Sequence, residues 1–105
     1  MKKQRKALTK DEILDAIRKR RDTLLKYKVR EIGLFGSFVR GEQAKRSDID
    51  FVVDFEEPSI ENYMKLSSFL ENLFGRKVEI LTPAGVDSIR INHVKEEIKR
   101  SIVYA

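Results

Sequence analysis

Asp48-Ile49-Asp50-Phe51-Val52-Val53-Asp54-Phe55 is the stretch on which the reading of this chain turns. Ile49, Phe51, Val53 and Phe55 alternate with Asp48, Asp50, Val52 and Asp54, the period of two that a β-strand imposes on its faces. The first set is wholly apolar and belongs on a core. The second carries three acids, and aspartate fits a half-buried pleated surface badly. Two carboxylates at i and i+2, at the start of the clearest strand, therefore ask for a chemical reason. Their Cβ atoms lie on one face roughly 7 Å apart, a separation that a hard cation can bridge.

Working outward, Arg30–Phe35 reads as a preceding strand that ends abruptly at Gly36-Ser37, followed by a short helix over Phe38–Glu42 that Gly41 and the polar run Glu42–Ser47 close. Farther upstream, Thr9 and Glu12 form a capping box that opens a helix of about residues 10–28. Its apolar stripe is Ile13, Leu14, Ile17, Leu24 and Leu25. Downstream, Pro58-Ser59 punctuates and Ile60–Phe74 reads as a helix, with Tyr63, Met64, Leu66, Leu70, Leu73 and Phe74 as expected core contacts and Gly75 as its end. A third strand, Lys77–Leu81, sets Val78 and Ile80 on one face and Glu79 on the other. After Thr82-Pro83 the chain reads as helical, with Ile89, Val94, Ile98 and Ile102 apolar. The order α-β-α-β-α-β-α predicts one layered α/β domain with a small sheet flanked by helices. The expected division is a single domain over 1–105: a basic tail and helix to about 28, a core of about 29–82, and a helical segment of about 83–105.

The chain has 105 residues and no cysteine, which excludes disulfide scaffolds, Cys-ligated zinc or iron–sulfur sites and thiol nucleophiles, and suits a reducing cytoplasm. No apolar run approaches the roughly 20 residues that span a bilayer, and no apolar stretch follows the basic Met1–Lys6 to make a secretory signal. The net charge of +5 is uneven: residues 1–30 hold 12 Lys/Arg against 4 Asp/Glu, and the remainder 10 against 13. The basic third can meet a nucleotide, an acidic partner or nucleic acid, or serve as a solvated helix face.

Gly36-Ser37 supplies a second chemical element. A strand, a glycine turn and a helix start make a phosphate cradle, because glycine admits close backbone approach and free N–H groups with the Ser37 hydroxyl can face an anion. Ten residues separate Ser37 from Asp48, enough for one short helix and a return into a neighbouring strand. Glu79 adds a carboxylate if its strand lies beside the second. Two-metal phosphoryl chemistry needs such a cluster, with ions about 3.5–4 Å apart. Two rival motifs fail. Gly36 and Gly41 have Walker A spacing, but Glu42-Gln43 stand where Lys and Ser/Thr are required. An EF-hand counted from Asp48 puts Val53 at the obligatory glycine and Ser59 at position 12.

Gly36-Ser37, ten residues, then Asp48-Ile49-Asp50, with Arg40-Gly41 between and Ser47 before the first acid, resembles the signature of the DNA polymerase β-like nucleotidyltransferases, and the short length resembles their minimal (MNT) branch. The likeness covers about Ile32 to Leu81. It implies a small mixed sheet flanked by helices, with Gly36 and Ser37 holding a nucleoside triphosphate, Arg40 close to the nucleotide or simply solvated, and Asp48 and Asp50 coordinating two Mg²⁺. The family's third carboxylate falls at Glu79, where aspartate is commoner, so this side chain is one methylene longer. Lys45 and Arg46 share the ambiguity of Arg40.

The resemblance further implies transfer of AMP from ATP to a protein hydroxyl, a tyrosine of an all-α HEPN toxin. The chain would then be the antitoxin of a toxin–antitoxin pair, acting by AMPylation in the cytoplasm as part of a homo- or hetero-oligomer. The alternative is a non-catalytic antitoxin that neutralises its partner by binding alone. Nucleic-acid binding through the basic first helix is a weaker option. Transfer to a small molecule lacks the usual second domain. His93 stands alone and cannot build a histidine metal site; Tyr63 and Tyr104 are candidates for partner contact.

Overall fold

The alternating stretch is a strand, β2 (Ile49–Phe55), set inside a four-stranded mixed sheet. The structure, a computed structural model, describes residues 8–43 and 47–105. β1 (Val29–Phe35) runs antiparallel to β2 on one side and β3 (Val78–Leu81) runs parallel to it on the other. β4 (Val103–Tyr104) adds antiparallel to the free side of β1, giving the order β3-β2-β1-β4.

The apolar face of β2 is buried as its period requires. Ile49, Phe51, Val53 and Phe55 join Ile32 and Leu34 of β1 and Val78 and Ile80 of β3 in the main core. Helices cover that face. α1 (Lys10–Arg18), opened by the Thr9–Glu12 capping box, delivers Ile13, Leu14 and Ile17, and α4 (Ile60–Phe74) delivers Leu66 and Leu70. The opposite face, which carries the acids, packs only where Phe35 and Val52 meet Val86 of α5 (Pro83–Asp87), with Ile98 of α6 (Asn92–Ser101) and Ile102 half-buried beside them. Val52 is therefore a core residue on the acidic face, and β2 is closed over on both sides around a half-buried acidic end.

The predicted small sheet flanked by helices is what the chain forms, with three differences of detail. The first helix is two, α1 and α2 (Arg21–Lys26), because the chain breaks at Lys19-Arg20, where the Arg20 Nη1 donates to the Ala16 carbonyl at 3.1 Å. The break seats Leu24 in the core and leaves Leu25 58% exposed, against the continuous stripe expected of both. Lys28, at φ +62°, then reverses the chain into β1. On α4 only Leu66 and Leu70 are fully buried; Tyr63 and Met64, expected in the core, lie on its exposed side, and Leu73 and Phe74 are half-buried. The last segment is α5, α6 and a fourth strand where continuous helix was expected. Gly33 makes room for that strand: a Cβ there would stand 2.5 Å from Ile102 Cγ2 and 3.0 Å from the Tyr104 ring, the close approach that glycine inside a strand often marks.

Candidate active site

The registers of two strand pairs converge on Asp50. The antiparallel pairing sets Phe35 opposite Asp50, and the parallel pairing sets Glu79 opposite it on the other side. Gly36, following Phe35, therefore lies against the Asp50 carboxylate. It takes φ +83° and ψ −150°, a region essentially reserved for glycine, and a Cβ on it would overlap Asp50 Oδ2. The Gly36 carbonyl accepts from the Val39 and Arg40 amides at 3.1 and 3.2 Å, starting the single turn α3 (Ser37–Arg40). Gly41, left-handed at φ +72°, then folds the chain back so that the Glu42 amide donates to the Ser37 carbonyl at 2.9 Å. This reversal brings Glu42 beside Arg40, whose Nε donates to Glu42 Oε1 at 2.7 Å.

Asp50 is half-buried, and that burial is the first cause of a carboxyl pKa pushed up to about 6. A hydrogen bond with Glu79 and the negative charges of Glu79 and Asp48 add to the rise, while Arg40 opposes it. Acids packed together in this way mark a site that gains from added positive charge. The Arg40 pKa is raised in turn, first by its hydrogen bond to Glu42 and then by negative charges that include Glu97 and Asp50.

Gly36, Arg40, Asp50 and Glu79 line one cleft of about 1000 Å³, as expected of them together. Ser37 and Asp48, neighbours in sequence of Gly36 and Asp50, are half-buried and do not line it. Among the described residues no three carboxylates or imidazoles gather closely enough to surround a metal ion: Asp50 and Glu79 meet, and Asp48 stands off from them while still acting on the Asp50 charge. The donor set nevertheless suits Mg²⁺, an oxygen-seeking ion that often uses one or two carboxylates with phosphate and water. Lys45 and Arg46 lie outside the described residues. The far wall of the cleft comes from Val94, Glu97, Ile98 and Ser101 of α6, with Lys77 and Tyr63 at its β3 side. Sequence reasoning gave none of these residues a place in the site, because the packing of α6 and α4 against the sheet edge brings them to the acids.

This sheet, with acids at one strand end and a glycine turn abutting them, matches a known family. The chain belongs to the nucleotidyltransferase-domain family, which it matches over residues 12–105, so the resemblance drawn from Gly36-Ser37 and Asp48-Ile49-Asp50 holds. A candidate protein adenylyltransferase of Methanocaldococcus jannaschii is 42% identical over 91% of this chain and 97% of its own length. Protein adenylyltransferase MntA of Thermococcus cleftensis is 40% identical over 75% of this chain and 77% of its own. The structure of a candidate minimal nucleotidyltransferase superposes with TM-score 0.62 at 28% identity, covering 86% of this chain and 93% of that one. No helix among the described residues is long and apolar enough to cross a membrane.

Proposed function

We propose that this nucleotidyltransferase moves AMP from ATP to a hydroxyl on a protein partner, a tyrosine of a HEPN toxin that it neutralises as antitoxin in the cytoplasm. The observation that carries the reading is the Asp50–Glu79 carboxyl pair abutting Gly36 at the mouth of a nucleotide-sized cleft. Gly36 and Ser37 hold the triphosphate, with Arg40 presenting its remaining N–H groups to it. Asp50 and Glu79, joined by Asp48 as the ion draws it in, would hold Mg²⁺, which when bound supplies positive charge to the phosphates and to the developing oxyanions. The acceptor oxygen forms a bond to the α-phosphorus, the α–β phosphoanhydride bond breaks, pyrophosphate leaves, and the hydroxyl proton passes to Glu79. Catalysis on this account is positioning and charge stabilisation, with no covalent intermediate. The exposed Ile60 and Met64, one turn apart on α4, and the two protein adenylyltransferase relatives support a protein acceptor.

The test is incubation with a co-expressed HEPN protein, Mg²⁺ and ATP labelled at the α- or γ-phosphate. Label from the α position alone on a partner tyrosine, lost in a folded Asp48→Asn/Asp50→Asn double variant, is the expected result. Label surviving in that variant would defeat the assigned site. Full neutralisation of the toxin by the unlabelling variant would make the chain an antitoxin by binding alone.

A further inference from the structure

Asp48 is the member of the proposed metal-binding set that lies outside a strand. It precedes β2, and the β2–β3 register begins only at Ile49 opposite Val78. What holds it is a pair of consecutive residues after α4. The Arg76 guanidinium donates through Nη1 to the Ser47 carbonyl at 3.3 Å, and the Lys77 carbonyl accepts from the Ile49 amide at 3.1 Å. The residues before and after Asp48 are thus tied to neighbouring points on one turn. The same guanidinium lies 5.4 Å from the centre of the Phe38 ring, and Phe38 is buried in α3 directly behind Gly36-Ser37. The Arg76 Nε is buried with no hydrogen-bond partner among the described residues. One planar cation joins the glycine turn, the backbone leading to Asp48 and the start of β3.

We infer that Arg76 is a positioning residue for Asp48, fixing its carboxylate at the metal site by clamping Ser47 against Phe38. The inference rests on the reading of Asp48 as a Mg²⁺ ligand. Arginine suits this task because its flat guanidinium can stack on a ring and donate sideways at once, whereas the lysine ammonium is a hydrated point charge. Residues that orient a ligand from behind typically change metal affinity or activity 10–100-fold when removed.

The test is Mn²⁺ affinity, by titration calorimetry with a non-hydrolysable ATP analogue present, alongside melting temperature. Arg76→Met is expected to weaken Mn²⁺ binding about 10-fold, and Arg76→Lys to fall between it and the parent. Leu14→Ala, in the core of α1, serves as a destabilised control and keeps parental affinity. Parental affinity in folded Arg76→Met and Arg76→Lys overturns the inference. So does an equal loss in Leu14→Ala, which would make the effect one of general stability. Undiminished binding by Asp48→Asn would instead show that the metal reading itself had failed.

Discussion

Replacing Gly36 with alanine probes the junction between the glycine turn and the acids. The backbone there, at φ +83° and ψ −150°, strains any residue with a Cβ, by about 1–3 kcal/mol. The new methyl also collides with Asp50 Oδ2, and even the Asp50 Cβ would lie only 3.3 Å away. Gly75 separates the two contributions, because it is left-handed at φ +65° with nothing within 4 Å of a Cβ. Gly75→Ala should therefore show backbone strain alone, about 1–2 kcal/mol, and Gly36→Ala should exceed it. For a domain of this size each kcal/mol shifts the melting temperature by about 4–8 °C. A second assay isolates the collision: in an Asp50→Ala background the Gly36→Ala penalty should shrink, by a coupling of at least about 0.5 kcal/mol in denaturant titrations. Strict additivity, or a Gly36→Ala no worse than Gly75→Ala, would show that the turn and the carboxylate do not touch.

Stability should fall as pH rises from about 4 to about 6, because Asp50 titrates near 6 in the fold against 3.8 in the free chain and the native state binds the extra proton. Solvent screening of this half-exposed group reduces the effect to about 1 kcal/mol; Asp50→Asn should flatten that part of a pH–melting profile, and Mg²⁺ should stabilise more at pH 7 than at pH 5. Gly33→Ala should displace Ile102 and Tyr104 from β1 at about 1–3 kcal/mol, as overpacking does, read as a lower melting temperature and faster proteolysis beyond Arg100. Trimming Ile102 to alanine in the same chain should restore part of the loss, and no recovery would argue that the Gly33 contact is not the cause.

The parts legible in the sequence were those written in local pattern. The alternation over Ile49–Phe55 gave the strand and its acidic face, Thr9 with Glu12 gave the start of α1, and the run from Gly36-Ser37 to Asp48-Ile49-Asp50 gave the family. What escaped depends on packing at long range. No cap or turn residue marks the break at Lys19-Arg20, since Leu24 falls seven residues after Ile17 on the same helical face across the polar Arg18–Thr23, and only the demands of the core choose Leu24 over its neighbour. β4 is two residues long, too short to show a period; its trace is Gly33, whose missing side chain is filled from the other end of the chain. Glu42 and Arg76 likewise had no motif to announce them, because each acts through a contact that exists only after the chain has turned back on itself.

The parallel register of β2 and β3 explains both what the site is for and what it does to the fold. Setting Asp50 directly beside Glu79 places two acids on adjacent strands, an arrangement that destabilises a sheet when both are charged. The Asp50 pKa, raised first by burial, is pushed further by that conflict. A hydrophobic or oppositely charged residue at position 79 would relieve it, as Arg30 and Asp54 do farther along the same sheet, where they pair at 3.6 Å. Instead the repulsion is kept at the strand ends facing the cleft, the pattern expected where a cation or its phosphate complex is the missing partner. Asp48 stands outside the Asp50–Glu79 pair while its charge still acts on Asp50. On the proposed reading, bringing Asp48 to the ion depends on how firmly the Arg76-Lys77 turn holds the backbone around it.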